Sequence, residues 1–453
     1  MGRCRAVWFL VGLGLLLATG PRSVVLAGQP PVSDEARTWE AVLARTAEIR
    51  GLAPRATIPR TLLTREQLQA RVVEQLTRAP IPERLATSAK LLTVLGLLER
   101  GTDLPGLLLQ FRSGLILGQY DPETKQLYVV TATNLLGPLE RVTAAHEYTH
   151  ALQDQYFDLL HLRPRNAPDT DRSLAVAALL EADATFVAER YAATVLTEAE
   201  QAERRRQVRE LYREVDLERI PLVVREQSYF PYTEGPRFLR RVLGDEALRG
   251  EGYGAAVNRL FADPPQTTAQ ILHPERYLRG QGPVPVPLGD PAAALGAGWQ
   301  AVRQGTLGEL DHRLLVQQYL DATVAARAAE GWAGASYALL ESEEGQLAVV
   351  VRTRWDSAAE AAEWLDAYRT VVRVRYGAAL TALAAPPGAT QWQTPDGVLL
   401  LAADGGPAES GGAETVLALA PSAGQAAQLA ERPALPLPTD LLHPRRALAR
   451  AVP

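Results

Sequence analysis

The residues most able to do chemistry in this 453-residue chain are His146-Glu147-Tyr148-Thr149-His150. Two histidines four residues apart on a helix lie on one face, one turn apart, so their ring nitrogens can share one metal ion. Glu147 is turned by about 100° from His146 on such a helix, which takes it off the ligand face. It points instead at the open coordination position, where a water would need a base. Two ligands and a general base are therefore specified within five residues.

A catalytic metal usually takes a third protein ligand. His161, 11 residues beyond His150, has no useful spacing. Glu181 is the better candidate. It belongs to a second helical stretch, about 171–195, with Asp171 able to cap its start. Leu174, Ala177, Glu181, Ala184, Ala188, Tyr191 and Val195 form its core-facing stripe, and Glu181 is the one charge there. A lone buried carboxylate is costly, and metal coordination removes that cost. Asp183 is turned about 200° from Glu181. Its two readings are a partner that orients a ligand histidine and a solvated surface carboxylate.

The elements that must position these groups are legible in part. Pro138 suits the first turn of a helix running to about Leu160. Val142, His146, Thr149, His150, Gln153, Phe157 and Leu160 share one of its faces. Just before it, Leu115 to Tyr120 and Gln126 to Thr131 read as two strands around a turn at Asp121-Pro122. This hairpin is expected to offer an edge to an extended peptide by strand addition. Residues 34–100 read as helical, broken near Gly51–Pro59 and Ala79–Pro82. Leu62, Leu68, Val72 and Leu76 form one apolar helix face there.

Composition narrows the class. The net charge is −5, and no basic, aromatic-interleaved patch suggests nucleic acid as a partner. Arg3 and Arg5, the apolar run Ala6–Ala18 and Val25-Leu26-Ala27 read as a secretory signal over residues 1–27, too short in its apolar part to span a membrane. An uncleaved anchor is the alternative, and only then would a membrane be a partner. The one cysteine, Cys4, falls inside that signal. Thiolate ligands are then excluded from the mature chain, which is expected to be secreted or held in the cell envelope.

The remaining chain is long for one core. Residues 28–280 are expected to form the domain carrying the metal pattern, followed by a Pro/Gly-rich linker at 281–290. Residues 291–453 alternate helical and strand-like stretches, an α+β unit. His312 and His443 stand apart from any metal pattern, and Trp332 and Trp355 read as core.

The pattern His146-Glu147-x-x-His150 with a downstream Glu181 resembles the gluzincin zinc metallopeptidases, the thermolysin-like group. The string from His146 to Phe157 is more similar still to an uncharacterised bacterial family of secreted or membrane-anchored metallopeptidase-like proteins. That family shares an E-G-D-A segment, here Glu181-Ala182-Asp183-Ala184 with Ala in place of Gly. It also shares F-P-Y-x-x-G, here Phe230 to Gly235, and T-T-x-Q-I-L-H-P, here Thr267 to Pro274. The resemblance covers roughly residues 110–280.

It implies an α+β, mostly helical chain. A gluzincin-like domain with a small sheet beside the histidine helix would be joined to a smaller C-terminal α+β unit. It further implies Zn²⁺ held by His146, His150 and Glu181, with Glu147 as general base in hydrolysis of a peptide or protein substrate. Tyr232 or His273 would donate to the oxyanion, with Tyr229 a third option. Two rivals stay open: a zinc amidase acting on cell-wall peptides, and a non-catalytic envelope protein that binds peptide.

Overall fold

In a computed structural model describing residues 34–163, 170–214, 217–404 and 412–431, Pro138 does open the histidine helix, which runs Pro138–Phe157. It stops about three residues earlier than its apolar pattern suggests, because Asp158 takes a left-handed conformation (φ 51°). Leu160 therefore lies on the short helix Leu159–Leu162 that follows. The signal segment and His443 lie outside the described residues.

The glutamate helix spans Thr170–Val195. Asp171 does not cap it. Asp171 sits buried in its first turn, accepting from the backbone N–H (2.9 Å) and the hydroxyl of Thr268. The histidine and glutamate helices pack directly on each other. Both are lined with small residues: Ala144, Ala145 and Ala151 on one, Ala175, Ala178, Ala182 and Ala184 on the other, all fully buried. Small side chains let the two backbones approach, and the larger Val142, Leu152, Leu179 and Val187 fill the flanks. Full burial of each such large side chain contributes roughly 1.5–3 kcal/mol.

Around this pair lie the first helix, Asp34–Arg50, and the later helices Leu222–Thr233, Gly235–Arg249, Tyr253–Ala262 and Thr268–Leu272. Because neighbours surround the glutamate helix, it has no solvated back, and Asp183 is buried along with Glu181. Phe230-Pro231-Tyr232 leads into the helix Gly235–Arg249 and is itself helical. It forms the last turn of Leu222–Thr233.

A three-stranded sheet, ordered β1-β3-β2, flanks the histidine helix. β1 is Arg60–Leu63, β2 is Gly118–Asp121 and β3 is Gln126–Val130. β1 lies parallel to β3 and β2 antiparallel to it. The apolar spacing assigns Leu62 to a helix, but it lies on β1. The helix starts only at Arg65, behind a capping box made by Thr64 and Gln67. In the turn from β2 to β3 the Asp121 carboxylate accepts the N–H of Glu123 at 3.1 Å.

The chain divides into two units. The first comprises the described residues up to Pro283 together with Thr306–Ala333, and the second comprises Val284–Gly305 and the described residues from Gly334 on. Thr306–Ala333 thus packs with the first unit, although its position beyond the Pro/Gly-rich stretch suggests the second. The reason is side-chain pairing. The helix Glu309–Gln317 is tied by Gln227 to Asp311 (2.9 Å) and by Thr268 to the backbone of Leu310 (3.2 Å). Trp332 and His312 are buried in that segment.

The second unit is a seven-stranded sheet in the order β4-β5-β6-β10-β9-β8-β7, where β4 is Trp299–Gly305, β5 Trp332–Ser342, β6 Leu347–Trp355, β7 Thr381–Leu383, β8 Ala389–Thr394, β9 Gly397–Asp404 and β10 Ala413–Ala420. The helix Ala358–Tyr376 packs on it, with Trp364 stacked on Tyr368 and beside Trp355. The class is α+β, mainly helical with small sheets. Among the described residues no helix is long and apolar enough to cross a membrane.

Candidate metal centre

The i, i+4 spacing and the packing of the two central helices bring three groups to one point. His146 Nε2 lies 3.1 Å from Glu181 Oε2 and 3.1 Å from His150 Nε2, and His150 Nε2 lies 3.3 Å from Glu181 Oε2. All three residues are buried. Among the described residues they form a group able to hold a metal ion. Two imidazole nitrogens and one carboxylate oxygen facing one another at these distances suit a shared cation.

The three groups are strongly coupled. Burial disfavours charge on all three groups. On Glu181 the two imidazoles outweigh burial and hold the carboxyl down at about 2. On His150 burial is likewise outweighed, by Glu181, and the ring is held up at about 9. On His146 burial prevails and the ring is lowered.

Glu147 sits beside this triangle and is 1 % exposed. Its Oε2 accepts the backbone N–H of Tyr120 on β2 at 2.7 Å, while Oε1 is buried with no hydrogen-bond partner among the described residues. Burial pushes the carboxyl up to about 8, aided by the charge of Glu181 and opposed by His150 and the Tyr120 N–H. Gly118 makes this approach possible. A Cβ there would fall 2.9 Å from Glu147 Cγ and 2.7 Å from Thr143 Cγ2. The β2 edge is also pinned through Tyr120 OH, which donates to Asp154 at 2.6 Å, and Lys125 reaches the same oxygen at 2.7 Å.

This corrects the expectation of an open edge for an extended peptide. Every residue of β2 is buried, and its outward Tyr120 N–H is taken by Glu147.

Asp183 does not touch a histidine. Gln153 stands between them: its Oε1 is 2.8 Å from His150 Nδ1, and its Nε2 donates to Asp183 Oδ2 at 2.8 Å. Asp183 also accepts from Arg50 Nε at 2.7 Å and Tyr253 OH at 2.7 Å. Arg50 in turn donates to Asn258 Oδ1 at 2.9 Å. Gly254 lets the helix bearing Tyr253 and Asn258 approach, since a Cβ there would lie 2.6 Å from the carbonyl of Arg50.

Sequence reasoning missed Arg50, Tyr120, Tyr253 and Asn258 as parts of this centre. Gln153 was visible as a polar residue on the histidine face, three residues after His150. The others carry no local signal, because Arg50 and Asp183 are 133 residues apart.

The oxyanion candidates divide. His273 lies at the junction of the helices Thr268–Leu272 and Pro274–Leu278. Its Nε2 is 2.7 Å from Glu309 Oε1, and that bond raises its pKa against the effect of partial burial. Tyr229 and Tyr232 both lie on the helix Leu222–Thr233, which packs on the glutamate helix. Tyr232 is buried, and the Tyr229 hydroxyl is buried with no hydrogen-bond partner among the described residues.

Comparison with known proteins adds little at this centre. A family model described as a domain of unknown function (DUF8575) matches residues 296–430, beyond every candidate site residue. No curated protein matches the chain. One solved structure that is similar comes from Chloroflexus aurantiacus and is described as "a putative hydrolase with a novel fold". It is 22% identical, covers 55% of this chain and 92% of that one, and superposes with a TM-score of 0.32. A likeness at that score carries no argument about this chain.

Proposed function

We propose that this chain is a zinc-dependent hydrolase of peptide bonds, working outside the cytoplasm with a gluzincin-type centre. The observation that carries the reading is the triangle of His146 Nε2, His150 Nε2 and Glu181 Oε2, with edges of 3.1–3.3 Å, beside the half-satisfied carboxylate of Glu147. A tetrahedral zinc ion with bonds of about 2.0–2.1 Å separates neighbouring ligand atoms by about 3.3–3.4 Å, so the triangle fits one face of its coordination shell. Zinc held there supplies Lewis-acid polarisation of the scissile carbonyl and of a water.

The protein's own part in the reaction is proton handling. The Tyr120 N–H fixes one oxygen of Glu147 and leaves Oε1 to take the proton of the attacking water and hand it to the departing amine nitrogen. Burial raises this carboxyl, and a cation at the triangle would favour its ionised form, the one that can act as a base. Tyr229 and Tyr232 are the proposed oxyanion donors. His273 is kept as a third candidate donor, its charged form favoured by Glu309.

Burial favours one second reading. His146, Glu147, His150 and Glu181 are 1–3 % exposed, as in a closed structural metal site. Glu147 argues against it, since a structural site needs no base.

Elemental analysis of the purified protein is the first test, with Glu181→Ala and Glu147→Gln beside the wild type. The reading expects one zinc per chain, zinc lost in Glu181→Ala, and zinc kept in Glu147→Gln with turnover of a peptide library reduced at least about 100-fold. Full activity of Glu147→Gln would remove Glu147 as base. Wild type that takes up no added zinc would end the hydrolase reading.

A further inference from the structure

A neutral imidazole carries one proton, and only its other nitrogen can bind a metal. His150 directs Nε2 at the candidate centre, so whatever holds Nδ1 decides whether the ring can serve. Nδ1 lies 2.8 Å from Gln153 Oε1. A glutamine amide can present either an acceptor or a donor, and its neighbours decide which.

Here both neighbours at the other end are acceptors. Gln153 Nε2 lies 2.8 Å from Asp183 Oδ2 and 3.1 Å from the carbonyl of Leu180. Turning the amide over would set its oxygen against a carboxylate and a carbonyl in a fully buried site. It would also leave the –NH₂ facing Nδ1. Asp183 is itself held as an acceptor by Arg50 and Tyr253, both donors at 2.7 Å. The direction of donation is therefore set from the far end: Arg50 and Tyr253 give to Asp183, Gln153 gives to Asp183, and His150 Nδ1–H gives to Gln153. In the neutral, metal-binding form of the ring, Nε2 is then left with its lone pair toward His146 and Glu181.

We infer that Gln153 is a positioning residue, held by Asp183 and Arg50, that sets the tautomer of His150 and presents Nε2 as a metal ligand. The inference rests on the metal-centre reading above. It also explains the residue type. A carboxylate at position 153 would face Asp183 with like charge, and an apolar side chain would leave Nδ1–H buried without an acceptor.

The test uses the full chain labelled with ¹⁵N-histidine, stripped of metal and then titrated with Zn²⁺ against a competing chelator. A His150→Gln sample assigns the ring signals. In wild type, Nδ1 of His150 is expected to carry a slowly exchanging proton before and after zinc is added, with Nε2 the nitrogen that shifts on zinc binding. Gln153→Leu is expected to lose the slow exchange and to bind zinc about 10–100-fold more weakly. The His312 ring, bonded to the Gly308 carbonyl at 2.9 Å, should keep its signal as a control for folding.

Zinc-loaded wild type with no proton on Nδ1, or with Nδ1 rather than Nε2 the nitrogen that shifts, would overturn the inference, and needs no variant to fold. So would a Gln153→Leu protein with wild-type zinc affinity and an unchanged Nδ1 proton. If zinc binds yet either of those results appears, the tautomer inference fails and the metal reading survives. If the Nδ1 proton is protected but zinc does not bind, the metal reading fails and the tautomer assignment holds.

Discussion

Replacing Arg50 by methionine tests whether the support behind the metal ligands is a buried ion pair in more than geometry. Arg50 and Asp183 both have side chains with 0 % exposure, and Nε lies 2.7 Å from Oδ2. Two unit charges about 4 Å apart attract by about 4 kcal/mol at an effective dielectric of about 20. Methionine keeps much of the packing volume but leaves the Asp183 carboxylate with two donors, Gln153 and Tyr253, in place of three. It also strips Asn258 Oδ1 of its donor.

Breaking such a pair from one side typically costs about 3–5 kcal/mol, and that is the expected loss for Arg50→Met. The Arg50→Met/Asp183→Asn double variant should lose less than Arg50→Met alone, because the group left behind is neutral. Urea denaturation of Arg50→Met, Asp183→Asn, the double variant and wild type, compared at unchanged m, measures the cycle. A loss below about 1 kcal/mol for Arg50→Met, or single effects that simply add, would refute the reasoning, since water would then be reaching the pair.

Two further outcomes follow from particular atoms. Gly118→Ala should cost about 1–3 kcal/mol by overpacking. Because the new Cβ would press on Glu147 Cγ and on the Tyr128 carbonyl, both at 2.9 Å, peptide turnover should fall while zinc content stays at wild-type level. Equal activity would show that β2 can yield without moving the base. His312 is held by burial at about 4, below its unfolded value near 6.5. The unfolded chain therefore binds the extra proton first. Stability is complete above about pH 6.5 and falls as pH drops toward 4, by about 3 kcal/mol in all. His312→Gln should lose that part of the pH dependence in denaturation curves at pH 7 and pH 4, and an unchanged difference between the two pH values would contradict it.

What the sequence determined by itself was the local chemistry. Histidines at i and i+4 with a glutamate between them need only a helix to share a face, and Pro138 and an uninterrupted run supply the helix. Glu181 stood out because a charge in an apolar stripe requires a partner, and the structure gives it two imidazoles. The hairpin before the histidine helix was legible from its turn residues, although its role was not. The outward N–H of Tyr120 serves Glu147, and only packing shows that.

The tertiary structure decided the rest, for one physical reason. Periodicity reports which face of a helix is apolar, and it fails where a helix is enclosed on every side. Solvation was one of two readings of Asp183 for that reason, and the residue is fully buried. His273 drew notice because it lies in a motif, but its pairing with Glu309, 36 residues on, is made only by the fold. Arg50 gave no sign at all, since its value depends on a carboxylate 133 residues away that the chain meets only once folded.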